Sequence, residues 1–306
     1  PENSFRAPGS LRQQLPIVAL VFNFLPSNYH EYQASNTSSN NRSRAYNQNN
    51  NRGGKKVKQR IANDNSVEPL LRVSDLTTIF HEWGHALHSI LSRTTYQHLS
   101  GTRGALDFVE VPSHLFEYFA QDPSLLRKWS EHHESGHQAP VGLFEEVLAN
   151  RSSLEALETQ AQLLYSLSDQ YIYGPQIGSV QDMSDIKIYK RAMEGTAALQ
   201  LKYTPMSTAN VELLQGDNVH TPSMYMLSHT HLLTYGGHYY SYLYAKMYAA
   251  QIWHKHFKEN PSSRIGGELL WKEMLRFGVA KNKKDMLDIV SEGELDPSYY
   301  FETIID

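Results

Sequence analysis

The chain has no cysteine, no long apolar run and no strong excess of one charge. Without cysteine there are no disulfide bonds or thiolate ligands, so any metal ion must be bound by His, Asp or Glu. The best apolar stretch, Leu15 to Leu25, is much shorter than the roughly 20 residues that cross a bilayer. A formal net charge of -4 gives no electrostatic reason for binding nucleic acid or anionic lipid. We expect a soluble monomer with no nucleic-acid or membrane partner.

Three segments of the chain differ in composition. Residues 1–34 include Leu15 to Phe24, whose β-branched and aromatic residues predict a strand in a small β-sheet. Residues 35–66 are rich in Asn and Ser and carry seven basic residues between Arg42 and Arg60, which predicts a disordered insertion. Binding of an anionic polymer is the alternative for this insertion. Residues 67–306 have mostly helical periodicity, so the predicted fold class is mainly α with a small sheet near the N-terminus.

The segment from His81 to His85 carries the strongest functional signal. Its order is His-Glu-Trp-Gly-His, with Glu82 directly after the first imidazole. On a helix, residues four apart lie on one face, so both imidazoles can approach one metal ion. Gly84 would let another segment come close to that ion. The alternative is that both His residues face solvent without a ligand.

Apolar residues at helical spacing surround this motif and predict a helix over about 75–92, with Ser74 or Asp75 as its N-cap. Breaks at Gly- and Pro-containing positions separate the further predicted helices. These helices cover residues 112–120, 143–167, 185–201, 239–257 and 267–277.

Two imidazoles do not complete a catalytic zinc site, which takes three protein ligands. Glu110, His114 and Glu117 compete for the third position, with Glu110 slightly favoured. Pro112 has no N–H and suits the first turn of a helix, which would place Glu110 at or just before the helix start. His88 lies one turn beyond His85, and we interpret it as a core or ligand-orienting residue rather than a ligand.

Two segments resemble the thimet oligopeptidase family of zinc metallopeptidases. Phe80 to His88 is similar to the zinc-binding helix of that family, and Gly101 to Ser113 is similar to the segment that supplies its third ligand. The resemblance implies that His81, His85 and Glu110 bind one Zn²⁺, for which Mn²⁺ or Co²⁺ could substitute, and that Glu82 is the general base. It also implies a zincin-like catalytic lobe, the C-terminal half of a helical, channel-type peptidase.

Residues His231 to Leu243 resemble another part of the same family. By that resemblance Tyr242 donates to the transition-state oxyanion, and Tyr235 and His231 assist in substrate binding or stabilisation. Tyr239, Gly236 and Gly237 would contact the substrate. The residues alone leave an amphipathic core face as the alternative, because tyrosine is abundant throughout this chain.

Within the family, the chain resembles the mitochondrial intermediate peptidase branch more than the cytosolic oligopeptidases. This implies an endopeptidase that removes a short N-terminal peptide from imported precursor proteins in the mitochondrial matrix. The alternatives are a general oligopeptidase, with a cytoplasmic location, and a non-catalytic fragment that binds metal or peptides. The chain starts at Pro1 rather than Met, and we expect it to be the C-terminal part of a longer protein.

Overall fold

The computed structural model describes residues 15–22, 71–132, 135–175 and 230–305, together with 192, 194–196, 198–199 and 202–203. The chain divides into two compact units, residues 1–20 with 80–306 and residues 21–79. Of the second unit, only residues 21–22 and 71–79 are described. The predicted insertion at 35–66 and most of the predicted helix at 185–201 lie outside the described residues.

The first helix, α1, runs from Val73 to Leu91 and confirms the helix predicted around the His motif. It begins slightly before the predicted caps, so Asp75 lies in its first turn. There the Asp75 Oδ2 accepts a hydrogen bond of 2.9 Å from the N–H of Arg72. A carboxylate in the first turn also interacts favourably with the positive end of the helix dipole.

The second helix, α2, runs from Leu106 to Ala120, and it shows that the predicted position of Pro112 at a helix start is wrong. Pro112 lies inside the helix, which therefore lacks one backbone hydrogen bond at a cost of about 3 kcal/mol. Every residue from Asp107 to Leu115 is buried, and this burial offsets the cost. Glu110 consequently lies within the helix rather than before it.

The core lies between α2 and α6, which spans Tyr240–His256. Val111 and Leu115 of α2 are fully buried in one cluster with Ala249 and Ile252 of α6. Helices α7 (Arg264–Glu273) and α8 (Lys283–Val290) close this cluster from the C-terminal side. The packing fixes α2 in place, and with it Glu110.

Other helices in the described part of the chain precede and follow α6. They are α3 (Pro123–Trp129), α4 (Leu143–Tyr173), α5 (Thr230–Thr234) and α9 (Ser298–Ile305). Both α4 and α9 pack on α6. The long helix α4 ends immediately before Gly174 and Pro175, where the sequence predicts a break.

The mainly α fold class is confirmed, but the predicted small sheet is not observed in the part of the chain that the structure describes. Residues 15–22 form no strand, and Ile17 is 94% exposed. An extended segment becomes a strand only when a neighbour pairs with its N–H and C=O groups, and apolar composition alone does not supply that neighbour. Among the described helices, none is both long and apolar enough to cross a membrane.

Candidate metal centre

His81 and His85 project from one face of α1. Their ring centroids lie 5.0 Å apart, and the ring planes are nearly perpendicular. Both side chains are mostly buried, with 22% and 23% of their surfaces exposed. The alternative of two solvent-facing imidazoles therefore does not fit the structure.

Glu110 faces both imidazoles from α2. Its Oε2 lies 3.5 Å from Nε2 of His81 and 3.3 Å from Nε2 of His85. Two helices separated in sequence thus bring two nitrogen donors and one oxygen donor together. All three donor atoms lie within 4.8 Å of one another.

Gly84 makes this approach of the two helices possible. A β-carbon at Gly84 would lie 2.6 Å from the carbonyl oxygen of Pro112 and 2.6 Å from Cα of Ser113. These are backbone atoms, so a side chain at Gly84 would push α2 away from α1. The predicted role of Gly84 in close approach therefore has a structural basis, and the segment that approaches is the middle of α2.

The distances distinguish between the competing third ligands. A second group of donors, His81, His114 and Glu117, is also close together. Tetrahedral Zn²⁺ binds N and O atoms at roughly 2.0–2.2 Å, which separates neighbouring donors by about 3.3–3.6 Å. The contacts of Glu110 match that separation, whereas Glu117 Oε1 lies only 2.6 Å from His81 Nδ1 and 2.9 Å from His114 Nδ1. The geometry favours Glu110 as the ligand and gives Glu117 hydrogen bonds instead.

Glu117 orients the first imidazole. Its pKa is held well below the usual range, because attraction from His114 and His81 outweighs the effect of burial. An ionised carboxylate only accepts hydrogen bonds, so Nδ1 of His81 donates to Glu117, and Nε2 is the ring nitrogen available to a metal ion. This pairing of a His ligand with a carboxylate is typical of metal sites.

Glu110 is held in its ionised form as well. Burial raises its pKa, but hydrogen bonding and charge from His85, with a 2.9 Å hydrogen bond from Ser113 Oγ, lower it overall. For His81, burial lowers the pKa, yet the carboxylates of Glu117, Glu110 and Glu82 raise it overall. The site thus brings ionised carboxylates beside imidazole nitrogens, a set of donors that suits a divalent cation.

Other residues of the motif helix have separate positions. Glu82 is half-buried beside His81, and Trp83 is 46% exposed. His88 is fully buried, with its ring centroid 5.8 Å from that of Phe108. Burial, followed by the charge of His85, lowers the pKa of His88 to about 4. The position of His88 agrees with the core interpretation, and His88 belongs to neither donor group.

Residues His231 to Leu243, which we call the tyrosine segment, lie beside these donor groups. The Tyr242 ring centroid is 6.5 Å from that of His114, 6.2 Å from that of His231 and 5.6 Å from that of Tyr239. The ring centroids of Tyr235 and His231 lie 5.8 Å apart, and Tyr235 is 41% exposed. Burial, and then the charge of Glu110, raises the pKa of Tyr242, so its phenol remains a hydrogen-bond donor at neutral pH.

Side chains of α4 contact three predicted substrate-binding residues, Gly236, Gly237 and Tyr239. The ring of Tyr239 is buried, and its hydroxyl donates to Oε1 of Gln162 at 3.0 Å. Gly237 has φ +77°, which favours glycine, and a β-carbon at Gly236 would overlap the ring of Tyr173. No local sequence pattern points to these partners on α4, which include Asp169, because they lie about 60 to 80 residues away along the chain.

The sequence profile of peptidase family M3 matches residues 14–304. A mitochondrial intermediate peptidase of Arabidopsis thaliana is 38% identical over 225 residues, which are 74% of this chain and 29% of that protein. The Malassezia globosa mitochondrial intermediate peptidase is 37% identical over 218 residues, 71% of this chain and 25% of that protein. The human mitochondrial intermediate peptidase is 34% identical over 225 residues, 73% of this chain and 28% of that protein.

This chain spans between a quarter and three tenths of the length of these relatives. The family match extends over nearly all of the chain and includes both helices that carry the candidate metal-binding donors. The chain therefore belongs to peptidase family M3.

Proposed function

We propose that this chain is the catalytic portion of a zinc-dependent endopeptidase that acts on precursor proteins in mitochondria. The convergence of His81 Nε2, His85 Nε2 and Glu110 Oε2 supports this proposal most directly. Family membership supports a metallopeptidase, and the names of the relatives support the mitochondrial intermediate peptidase type. Residues 67–306 would form the catalytic domain, with residues 1–34 as its N-terminal segment and 35–66 as an insertion.

The donor set suits zinc. Two imidazole nitrogens and one carboxylate oxygen are a common ligand set of catalytic Zn²⁺, and Mn²⁺ or Co²⁺ can occupy the same ligands. When bound, such an ion polarises the scissile carbonyl and makes water a stronger acid. Glu117 and Ser113 would keep His81 and Glu110 in their binding orientations through the hydrogen bonds described above.

Glu82 is the proposed general base. It follows His81 on the same helix turn and is half-buried, and its charge contributes to the raised pKa of His81. In the proposed reaction Glu82 takes a proton from the attacking water and passes it to the leaving amine nitrogen. Tyr242 donates its phenolic hydrogen to the oxyanion that develops on the carbonyl, with His231 and Tyr235 beside it.

The proposed substrate is a precursor protein that carries a short N-terminal extension, and the proposed location is the mitochondrial matrix. Both follow from the relatives, which are named mitochondrial intermediate peptidases. The full-length protein should be assayed on such a precursor and on free short peptides. Faster cleavage of the precursor supports the proposal, whereas cleavage of the short peptides alone would identify a general oligopeptidase.

The variant Glu82→Gln tests the mechanism. It should retain about one zinc ion per chain while kcat falls by about 1,000-fold, because loss of general base catalysis costs roughly 100- to 10,000-fold. The exposed residue Glu268 on α7 offers a control with the same substitution, Glu268→Gln, and this variant should retain its activity. Near-normal turnover by Glu82→Gln would show that another group is the base. Zinc binding without chelator-sensitive cleavage in the unmodified protein would instead indicate a metal-binding module.

A further inference from the structure

The side chain of Asp169 on α4 accepts two hydrogen bonds from the backbone of the tyrosine segment. The residue is 0% exposed. Its Oδ1 accepts a 2.8 Å hydrogen bond from the N–H of Gly237, and its Oδ2 accepts a 2.9 Å hydrogen bond from the N–H of Tyr239. Both carboxylate oxygens therefore bind one short turn, which connects α5 with α6.

This contact lies at the start of α6. Tyr239 is the N-cap residue of α6, and its own side chain makes no capping hydrogen bond. The first N–H groups of a helix have no partners within the helix, so another group must bind them. Asp169 takes that role from a different helix, and its negative charge is favourable at the positive end of the α6 dipole.

Other side chains of α4 contact the same segment. Gln170 Nε2 donates to the carbonyl of Gly237 at 2.9 Å, and the Tyr173 hydroxyl donates to the carbonyl of Leu232 at 2.7 Å. One helix thus contacts the segment at its start and at its turn. Asp169 is the buried charged member of this set, and burial of a carboxylate is costly unless strong hydrogen bonds accompany it.

We propose that Asp169 is a positioning residue that sets the location of Tyr242 relative to the metal-binding donors. Tyr242 lies in the first turn of α6, three residues after Tyr239, whose N–H donates to Oδ2 of Asp169. A displaced helix start would therefore move the Tyr242 hydroxyl. The inference rests on the proposed function, because it assigns importance to the phenol of Tyr242 in turnover.

A double-mutant cycle on the full-length, zinc-loaded protein tests this inference, with Asp169→Asn, Tyr242→Phe and the double variant. Asn retains one acceptor but presents an NH₂ group to the other N–H, which disrupts the turn. We expect Asp169→Asn to lower kcat by about 10- to 100-fold with KM changed less than about threefold and zinc content unchanged. In the Tyr242→Phe background, the same substitution should lower kcat by less than about threefold.

Asp296→Asn is the matched control, because Asp296 accepts a backbone N–H from Ser298 at the start of α9, and it should leave kcat unchanged. An equal loss from Asp169→Asn in both backgrounds would show a general effect on folding and would overturn the positioning role. An unchanged kcat would overturn it too. If Asp169→Asn does not fold, Gly237→Ala takes its place in the cycle with Tyr242→Phe, because it displaces the N–H that donates to Asp169. An equal loss of kcat in both backgrounds, or an unchanged kcat, would again overturn the positioning role.

The unmodified protein separates this inference from the proposed function. If it cleaves no peptide in a chelator-sensitive manner, both the proposed function and this inference are wrong. If the unmodified protein cleaves peptides and Tyr242→Phe lowers kcat, the double-mutant cycle alone tests the positioning role of Asp169.

Discussion

The candidate metal-binding donors and the tyrosine segment lie side by side, but the fold holds them by different means. The donors are held by contact between two helices, because Gly84 allows the backbone of α2 to lie directly against α1. The tyrosine segment is held by hydrogen bonds with α4, where Asp169 and Gln170 bind its turn and Tyr173 binds the Leu232 carbonyl near its start. A packed helix interface resists displacement by backbone sterics, whereas a hydrogen-bonded turn depends on a few side chains. The two halves of the site should therefore respond differently to small changes.

Among variants that test this comparison, Gly84→Ala should have the largest effect, because it acts on the packed half. Alanine favours the helix by about 1 kcal/mol, but its β-carbon would lie 2.6 Å from two backbone atoms of α2. Overpacking of this kind costs about 1–3 kcal/mol, and the shift of α2 carries Glu110 away from the His residues. We expect kcat to fall by about 100-fold or more, with weakened zinc binding in a chelator competition assay.

Gly267→Ala is the control for that variant. Gly267 lies in the exposed part of α7, and an added β-carbon there meets no atom within 4 Å. This variant should retain its activity and gain about 0.5–1 kcal/mol in free energy of unfolding. Normal zinc affinity in Gly84→Ala would show that the helix contact does not hold the donors in place.

Glu117→Gln should have an intermediate effect, and it too acts on the packed half of the site, which carries the donors. Both His81 and His114 donate to one oxygen of Glu117, and the substitution removes the charge that attracts them. Loss of such a carboxylate partner lowers metal affinity by about 10- to 100-fold. Competition with a chelator measures this loss, and excess zinc should restore most of the activity. If excess zinc restored nothing, Glu117 would act in the reaction itself.

Gly236→Ala should have the smallest effect, because it acts on the hydrogen-bonded half. Its β-carbon would meet the ring of Tyr173, a half-exposed side chain that can rotate away, rather than backbone. The rotation breaks the hydrogen bond to the Leu232 carbonyl, which is worth about 1 kcal/mol, so kcat should fall by roughly fivefold without loss of zinc. In a Tyr173→Ala background the same substitution should have no further effect, and a persisting loss would contradict the steric explanation.

The predictions from sequence were most accurate where the pattern is local. The His81 and His85 imidazoles share a helix, and their distance follows from helix geometry alone. The helix around Glu110 was predicted to start too late, because the preference of proline for a first turn is a local rule that burial of α2 overrides. The strand at 15–24 was predicted from apolar composition, although pairing depends on a neighbour that composition does not specify.

The amino-acid sequence is enough to predict the helix that carries His81, Glu82 and His85, and four-residue spacing places the two His side chains on one face wherever that helix lies. Spacing leaves Glu110, His114 and Glu117 in competition for the third ligand position, with Glu110 only slightly favoured. The tertiary structure favours Glu110, because the packing of α2 on α1 places its Oε2 3.3 and 3.5 Å from the two Nε2 atoms, whereas Glu117 lies at hydrogen-bond distance from His81. The same holds for Asp169, whose partners are 68 and 70 residues away along the chain.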